Sequence, residues 1–208
     1  MKITEVSPQK NNSYRVNVFI DGEYALSLDA AEAALKGIKS GKEIDDAALK
    51  NLLLDSEYSK SRDAALGVLS RKSITSKALL EYLMQKGYSS FVSNEVINEL
   101  TDLGYIDDYA YANMYFEYCM EKVWGKKKIE YEMKNKGIPN DVIQNTLLYY
   151  NDDMQLEKMK DIILSKYSGS DLHDIKIRSK ITRYFVSRGF DFSKTDLAIS
   201  LAKEISGE

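Results

Sequence analysis

Lys122, Trp124, Lys126, Lys127 and Lys128 crowd one short stretch of the chain, and Arg178, Lys180, Arg183 and Arg188 form a second basic cluster. Arg71 and Lys72 make a smaller pair. Such side chains bind anions, whether nucleic acid phosphates or protein carboxylates, and an indole beside them can stack or take a cation on its face. A lysine run on its own is more commonly a solvated helix face. The formal net charge is −3, so the molecule lacks the basic field of a stand-alone nucleic acid binder. Among four successive segments only residues 109–150 carry more basic groups than acidic ones, 6 against 5.

Other chemistries are poorly supplied. His173 is the one histidine and sits in a polar loop, which excludes His-based triads and His-rich metal sites. Cys119 is the one cysteine, so no internal disulfide and no zinc pair can form, and its aromatic neighbours suggest packing. The acidic pairs Asp45-Asp46, Asp107-Asp108 and Asp152-Asp153 each fall where a helix begins, where capping and the helix dipole account for them better than a metal does. No glycine-rich stretch ends in Gly-Lys-Ser or Gly-Lys-Thr. No catalytic residue, metal or cofactor is therefore expected. With no apolar run of membrane-span length and no signal-peptide pattern, the expectation is a cytoplasmic monomer without membrane contact.

The elements that must position these residues repeat. Lys86-Gly87-Tyr88, Lys136-Gly137-Ile138 and Arg188-Gly189-Phe190 share a basic-Gly-apolar pattern, each between two helical patterns. Leu79, Ile129 and Ile181 align in that register, as do Leu83, Met133 and Phe185, and then Ile97, Leu147 and Ile199. Each copy reads as three helices, with Gly87, Gly104, Gly137 and Gly189 as left-handed caps that a β-carbon would disfavour. Pro139 suits a first turn. Ala110, Met114 and Tyr118 mark the first helix of the second copy, where Tyr109, Tyr111, Tyr115 and Tyr118 exceed what one buried face needs. The third copy is looser, with Ser168-Gly169-Ser170 and His173 in an enlarged loop.

Before the repeats, Tyr14, Val16, Val18 and Ile20 alternate with polar residues, Asp21-Gly22 signals a type I′ turn, and Tyr24, Leu26 and Leu28 resume the alternation. A further strand is expected around Ile3 to Val6. Asp29 with Glu32 resembles a capping box, and Asp45 is expected to cap a short helix with Leu49, Leu52 and Leu53. The fold class is thus mostly α: tandem three-helix repeats over residues 61–107, 108–151 and 152–208 in an elongated curved array, behind a β-hairpin and helix domain over 1–60.

Leu103-Gly104-Tyr105-Ile106-Asp107-Asp108, Gly125-Lys126-Lys127-Lys128-Ile129 leading to Lys136-Gly137-Ile138, and Val186-Ser187-Arg188-Gly189-Phe190 together resemble the RecX family of regulators of the RecA recombinase. The resemblance extends to Asp21-Gly22-Glu23-Tyr24-Ala25 and covers nearly the whole chain. Two positions depart from the family pattern: Lys126 stands where Pro is usual, and Lys77 where an acid is usual. The resemblance implies a non-enzymatic inhibitor that lies in the groove of the RecA filament, with single-stranded DNA inside that filament as a further contact. There it lowers ATP turnover, strand exchange and stimulated repressor cleavage, and it makes the basic clusters contacts for that partner. A helix-turn-helix transcription regulator is the alternative, poorly equipped because the candidate recognition turns read Ser89-Ser90-Phe91 and Pro139-Asn140-Asp141. A generic helical scaffold is the other.

Overall fold

A computed structural model describes residues 1–206, and among them are three strands and ten helices. The strands β1 (Ile3–Gln9), β2 (Asn12–Ile20) and β3 (Glu23–Asp29) form one antiparallel sheet in the order β1-β2-β3. Val16 faces Leu28 and Val18 faces Leu26, so the alternating apolar set falls on one face and buries Val18, Ile20, Leu26 and Leu28. Asp21 and Gly22 both have positive φ, at 50° and 90°, as a type I′ turn requires. The short helix α1 (Ala30–Leu35) is capped by Asp29, which accepts from the Ala31 and Glu32 amides. Glu32 does not close a capping box; its carboxylate meets Lys36 instead.

The helix after Asp45 is not short. α2 (Asp46–Leu69) is one helix of 24 residues running through residue 60, the expected edge of the N-terminal domain. Its apolar stripe changes sides along its length, which is why periodicity understated it. The first part puts Ala48, Leu49 and Leu52 on the sheet, while Ala65, Leu66, Val68 and Leu69 join the core of the first repeat. Leu53, expected inside, is exposed. Arg15 on β2 fastens the sheet to α2: it is buried, its guanidinium donates to Ser59 and pairs with Asp63 at 2.9 Å, and it also reaches the Ser27 carbonyl.

The repeats follow as α3 (Ser76–Gln85) and α4 (Ser90–Asp102), then α5 (Asp108–Glu121), α6 (Lys126–Asn135) and α7 (Asn140–Leu147), then α8 (Asp152–Lys166), α9 (Ile175–Val186) and α10 (Phe192–Ser206). The aligned triples Leu79, Ile129 and Ile181, and Leu83, Met133 and Phe185, are all fully buried. Gly87, Gly104, Gly137 and Gly189 all have positive φ. Pro139 stands at the N-cap of α7 rather than inside its first turn. On α5 the buried face is Ala112, Phe116, Cys119 and Met120, whereas Met114 and Tyr118 point to solvent. Asn151, not an aspartate, caps α8, and Asp152 pairs with Lys194.

The chain divides into two compact units: residues 1–74 with 78–106, and residues 75–77 with 107–208. In the second unit, three residues join the last two repeats. Val123 takes φ +52°, a strained conformation for a β-branched residue, and its side chain is buried with Met159, Ile181 and Phe185. Trp124 packs on the core formed by α5, α6 and α7. The Gly125 amide donates to the Arg188 carbonyl at 2.8 Å, and a β-carbon on Gly125 would run into the Gly189 carbonyl. The same device occurs earlier in this unit, where Thr75 Oγ1 donates to the Lys136 carbonyl at 2.8 Å. Lys136 and Arg188 stand just beyond α6 and α9, so these carbonyls are among those a helix end leaves unpaired.

Among the described residues, Gly67 and Gly125 are the two glycines without positive φ, and they separate steric contact from backbone freedom. Gly125→Ala should destabilise by about 1–3 kcal/mol because the added methyl meets fixed backbone. Gly67→Ala, in the last turn of α2 with open space around it, should stabilise by up to about 1 kcal/mol. Denaturant unfolding of the two variants checks the opposite signs.

A candidate basic and aromatic interaction surface

The α5 sequence places Tyr111, Tyr115 and Tyr118 at spacings of four and three, which is one helix face. Their rings run as a near-parallel ladder, with centroids 6.4 and 5.9 Å apart and interplanar angles of 19° and 23°. Trp124 ends the ladder edge-on to Tyr118 at 6.2 Å. Lysines cover the rings: Lys122 Nζ lies 5.5 Å from the Tyr118 centroid, Lys128 Nζ 4.6 Å from Trp124 and Lys136 Nζ 5.5 Å from Tyr115. Each such contact contributes about 0.5–1 kcal/mol at an exposed site and holds the ammonium in place without neutralising it.

The three lysines at the start of α6 differ in role. Lys128 is half-buried, its stem lies against Gly189, and its ammonium donates to the Ser187 carbonyl at 3.2 Å. A lysine there complements the negative end of α9. Lys126 and Lys127 are exposed and border a cleft of about 220 Å³ with Tyr150, Asp152 and Lys194. The α6 N-cap is Gly125, which offers no side-chain acceptor. The positive end of the helix and the two exposed ammonium groups offer positive charge to an outside anion, in competition with the carboxylates of Glu130 and Asp191 in the same cleft.

Of the second cluster, Arg188 is the most enclosed, with its guanidinium 3.8 Å from the Tyr184 ring centroid and its Nε buried. Lys166 shares the same ring at 4.0 Å. Arg178 pairs with Asp196 at 3.0 Å, Arg183 donates to the Ser179 carbonyl, and Lys180 is exposed. Arg71 and Lys72 belong to the first unit, where they border a cleft of about 370 Å³ with Val68, Ile74 and Tyr82. Lys136, Lys86 and Lys166 did not stand out in the sequence. The signal for the first two was available in the repeat: Lys86 covers Tyr82 at 5.6 Å, Lys136 covers Tyr115 and Arg188 covers Tyr184. The basic residue of each of the three repeat motifs therefore caps an aromatic ring, whereas Lys36 of Lys36-Gly37-Ile38, ahead of the repeats, pairs with Glu32 and Asp55.

Burial pushes the Cys119 thiol up to about 11 and the Tyr150 hydroxyl up to about 12. Cys119 is fully buried, so it packs in the core instead of reacting. Among the described residues no group of three or more His, Cys, Asp or Glu could hold a metal ion, and no helix is long and apolar enough to cross a membrane.

Comparison with known proteins places two segments in family models: residues 1–45 match the regulatory protein RecX N-terminal domain, and residues 107–147 match the RecX second three-helix domain. The regulatory protein RecX of Clostridium botulinum strain Alaska E43 is 32% identical over 208 residues, covering 98% of this chain and 95% of that protein. That of Clostridium acetobutylicum is 29% identical over 211 residues, covering 99% and 97%. A crystal structure of regulatory protein RecX superposes with a TM-score of 0.73 at 21% identity, covering 95% of this chain and 98% of the other. RecX from Lactobacillus salivarius gives 0.62 at 28% identity, covering 71% and 97%.

The Cys119 thiol and the half-buried Tyr150 hydroxyl, like the raised hydroxyls of Tyr58 and Tyr115, should cost stability at alkaline pH. Tyr150 and Cys119 stay neutral in the fold and ionise more readily when unfolded, so their contribution is complete below the ordinary values of 10.0 and 9.0 and is lost as pH rises to about 12 and about 11. The thermal midpoint should hold up to about pH 9 and then fall with each further step. Tyr150→Phe should make that fall shallower, as differential scanning fluorimetry across pH will read.

Proposed function

From the chain's membership of the RecX family we propose that it is a non-catalytic regulator of RecA, which binds the filament that RecA forms on single-stranded DNA and lowers its ATP turnover, strand exchange and coprotease activity. The observation that carries this reading is the band of stacked tyrosines, Trp124 and lysines along α5 and α6, in a chain whose net charge is negative. The aromatic band lies in residues 109–150, the one segment of the four with more basic than acidic groups, 6 against 5. A partner surface with carboxylates or phosphates would be attracted to that band, while bulk duplex DNA would meet a molecule of the wrong overall sign. The basic residues of the other clusters, Arg71 and Lys72 in the first unit and Arg178, Lys180, Arg183 and Arg188 in the second, are proposed as further contacts. The chain then acts in the cytoplasm as a monomer, and any change in ATP hydrolysis belongs to the partner.

The experiment separates Lys126 and Lys127 from Lys128, because the third lysine also supports α9. Lys126→Glu with Lys127→Glu should leave the unfolding midpoint unchanged and raise the concentration needed for half-inhibition of the RecA ATPase about tenfold, with a flatter salt dependence. Wild-type inhibition by that variant across a salt titration would remove the band as the contact. Nucleotide or phosphodiester hydrolysis that persists in the pure protein would remove the non-catalytic reading.

A further inference from the structure

The third repeat carries a second surface of different chemistry. Ile175, Arg178, Ser179, Thr182 and Arg183 share the outward face of α9 at spacings of three, four, seven and eight. The opposite face, with Ile177, Ile181 and Phe185, is in the core. Together with His173 and Phe192 the outward residues line an open cleft of about 480 Å³, within the range of sites that hold a few side chains of a ligand. Two large apolar residues stand in it unprotected: Ile175 is 80% exposed and Phe192 68% exposed. Every lining residue is apolar or can donate a hydrogen bond, and no carboxylate is among them. Asp196 engages Arg178 from outside the lining set, and the hydroxyl of Ser179 is turned back to the Ile175 carbonyl. Lys203, whose ammonium lies 3.2 Å from His173 Nδ1, adds positive charge at the rim.

We infer that this cleft docks an acidic peptide segment of the recombinase, with carboxylates on Arg183 and Arg178 and an aliphatic or aromatic side chain between Ile175 and Phe192. The inference rests on the regulatory reading above and adds a second, separate contact to it. Charge complementarity selects the carboxylates, because a planar guanidinium takes one in a bidentate pair. Phe192 alone could stack on a base, but Ile175 beside it selects a protein: it has no flat face to stack, and a sugar-phosphate chain would leave it uncovered. Exposed anchors of this size beside arginines are the usual composition of a contact centre.

Overlapping synthetic peptides covering the cognate RecA sequence, titrated into the full chain by fluorescence polarisation, test this directly. The bound subset should combine carboxylates with an aliphatic or aromatic residue, and each should bind about tenfold more weakly to Arg183→Glu and to Phe192→Ala. Both substitutions are on the surface, and unchanged unfolding midpoints will show that the fold survives them. No bound peptide, a bound subset that is neutral or basic, or binding indifferent to both substitutions would overturn the inference. A single-stranded oligonucleotide that binds the chain and weakens with Arg183→Glu, with or without a further loss from Phe192→Ala, while no peptide binds, would reassign the cleft to nucleic acid and overturn it too. The wild-type chain's inhibition of the RecA ATPase is the separate control: if it is absent the regulatory reading has failed, and if it is present while the peptides fail, only the cleft has.

Discussion

The hydrogen bond from the Gly125 amide to the Arg188 carbonyl is the contact on which the second unit depends. A carbonyl at a helix end must find a donor, and leaving one buried without a partner costs about 1–3 kcal/mol. Here the donor is the backbone at the start of the previous repeat's middle helix, which demands an approach so close that neither Gly125 nor Gly189 can carry a side chain. On Gly189 a β-carbon would lie 2.6 Å from Lys128 Cβ. That approach places Lys128 over Trp124 and next to the Ser187 carbonyl, brings Arg188 onto Tyr184, and leaves Lys126 and Lys127 facing outward. The basic surface is a by-product of how two repeats are joined.

Lys126 and Lys77, the two departures from the pattern that the resemblance implies, have a physical reading. Proline at the first residue of α6 would have no amide to lose, since that amide has no helical partner. Lysine in its place keeps the helix start and adds a charge at the exposed rim. Lys77, in the first turn of α3 where an acid is usual, gives up a favourable interaction with the helix dipole, and its stem lies beside Gly137, whose β-carbon would meet it at 3.0 Å. Both substitutions trade a local preference for positive charge, in keeping with an anionic partner.

Much of the fold was legible because the repeat registers were. The aligned Leu79, Ile129 and Ile181 could be picked out from spacing alone and are all fully buried. The Asp21-Gly22 turn and the Asp107 cap, which accepts from the Ala110 amide at 2.8 Å, follow from local chemistry and needed no tertiary knowledge. The length of α2 was not legible, since a helix that serves two cores in succession has no constant apolar face. Nor was the inward face of α5: the eight aromatic and sulfur-bearing residues from Tyr109 to Met120 satisfy several helical stripes equally, and packing chose the one through Phe116 and Cys119. For the surface, the sequence supplied the basic residues but not all their partners. Lys86 and Arg188 cover tyrosines four residues before them, a local spacing the sequence carries, but the Lys136 contact emerges only in three dimensions, because Tyr115 lies on a different helix.

Hydrogen–deuterium exchange of the full chain, alone and with RecA filaments assembled on single-stranded DNA, reads the central claim directly. If the band on α5 and α6 is the working surface, the filament should slow exchange across residues 111–128, and bare single-stranded DNA at matched concentration should protect them far less. Protection confined to the sheet and α1, with residues 111–128 exchanging as in the free chain, would contradict the account.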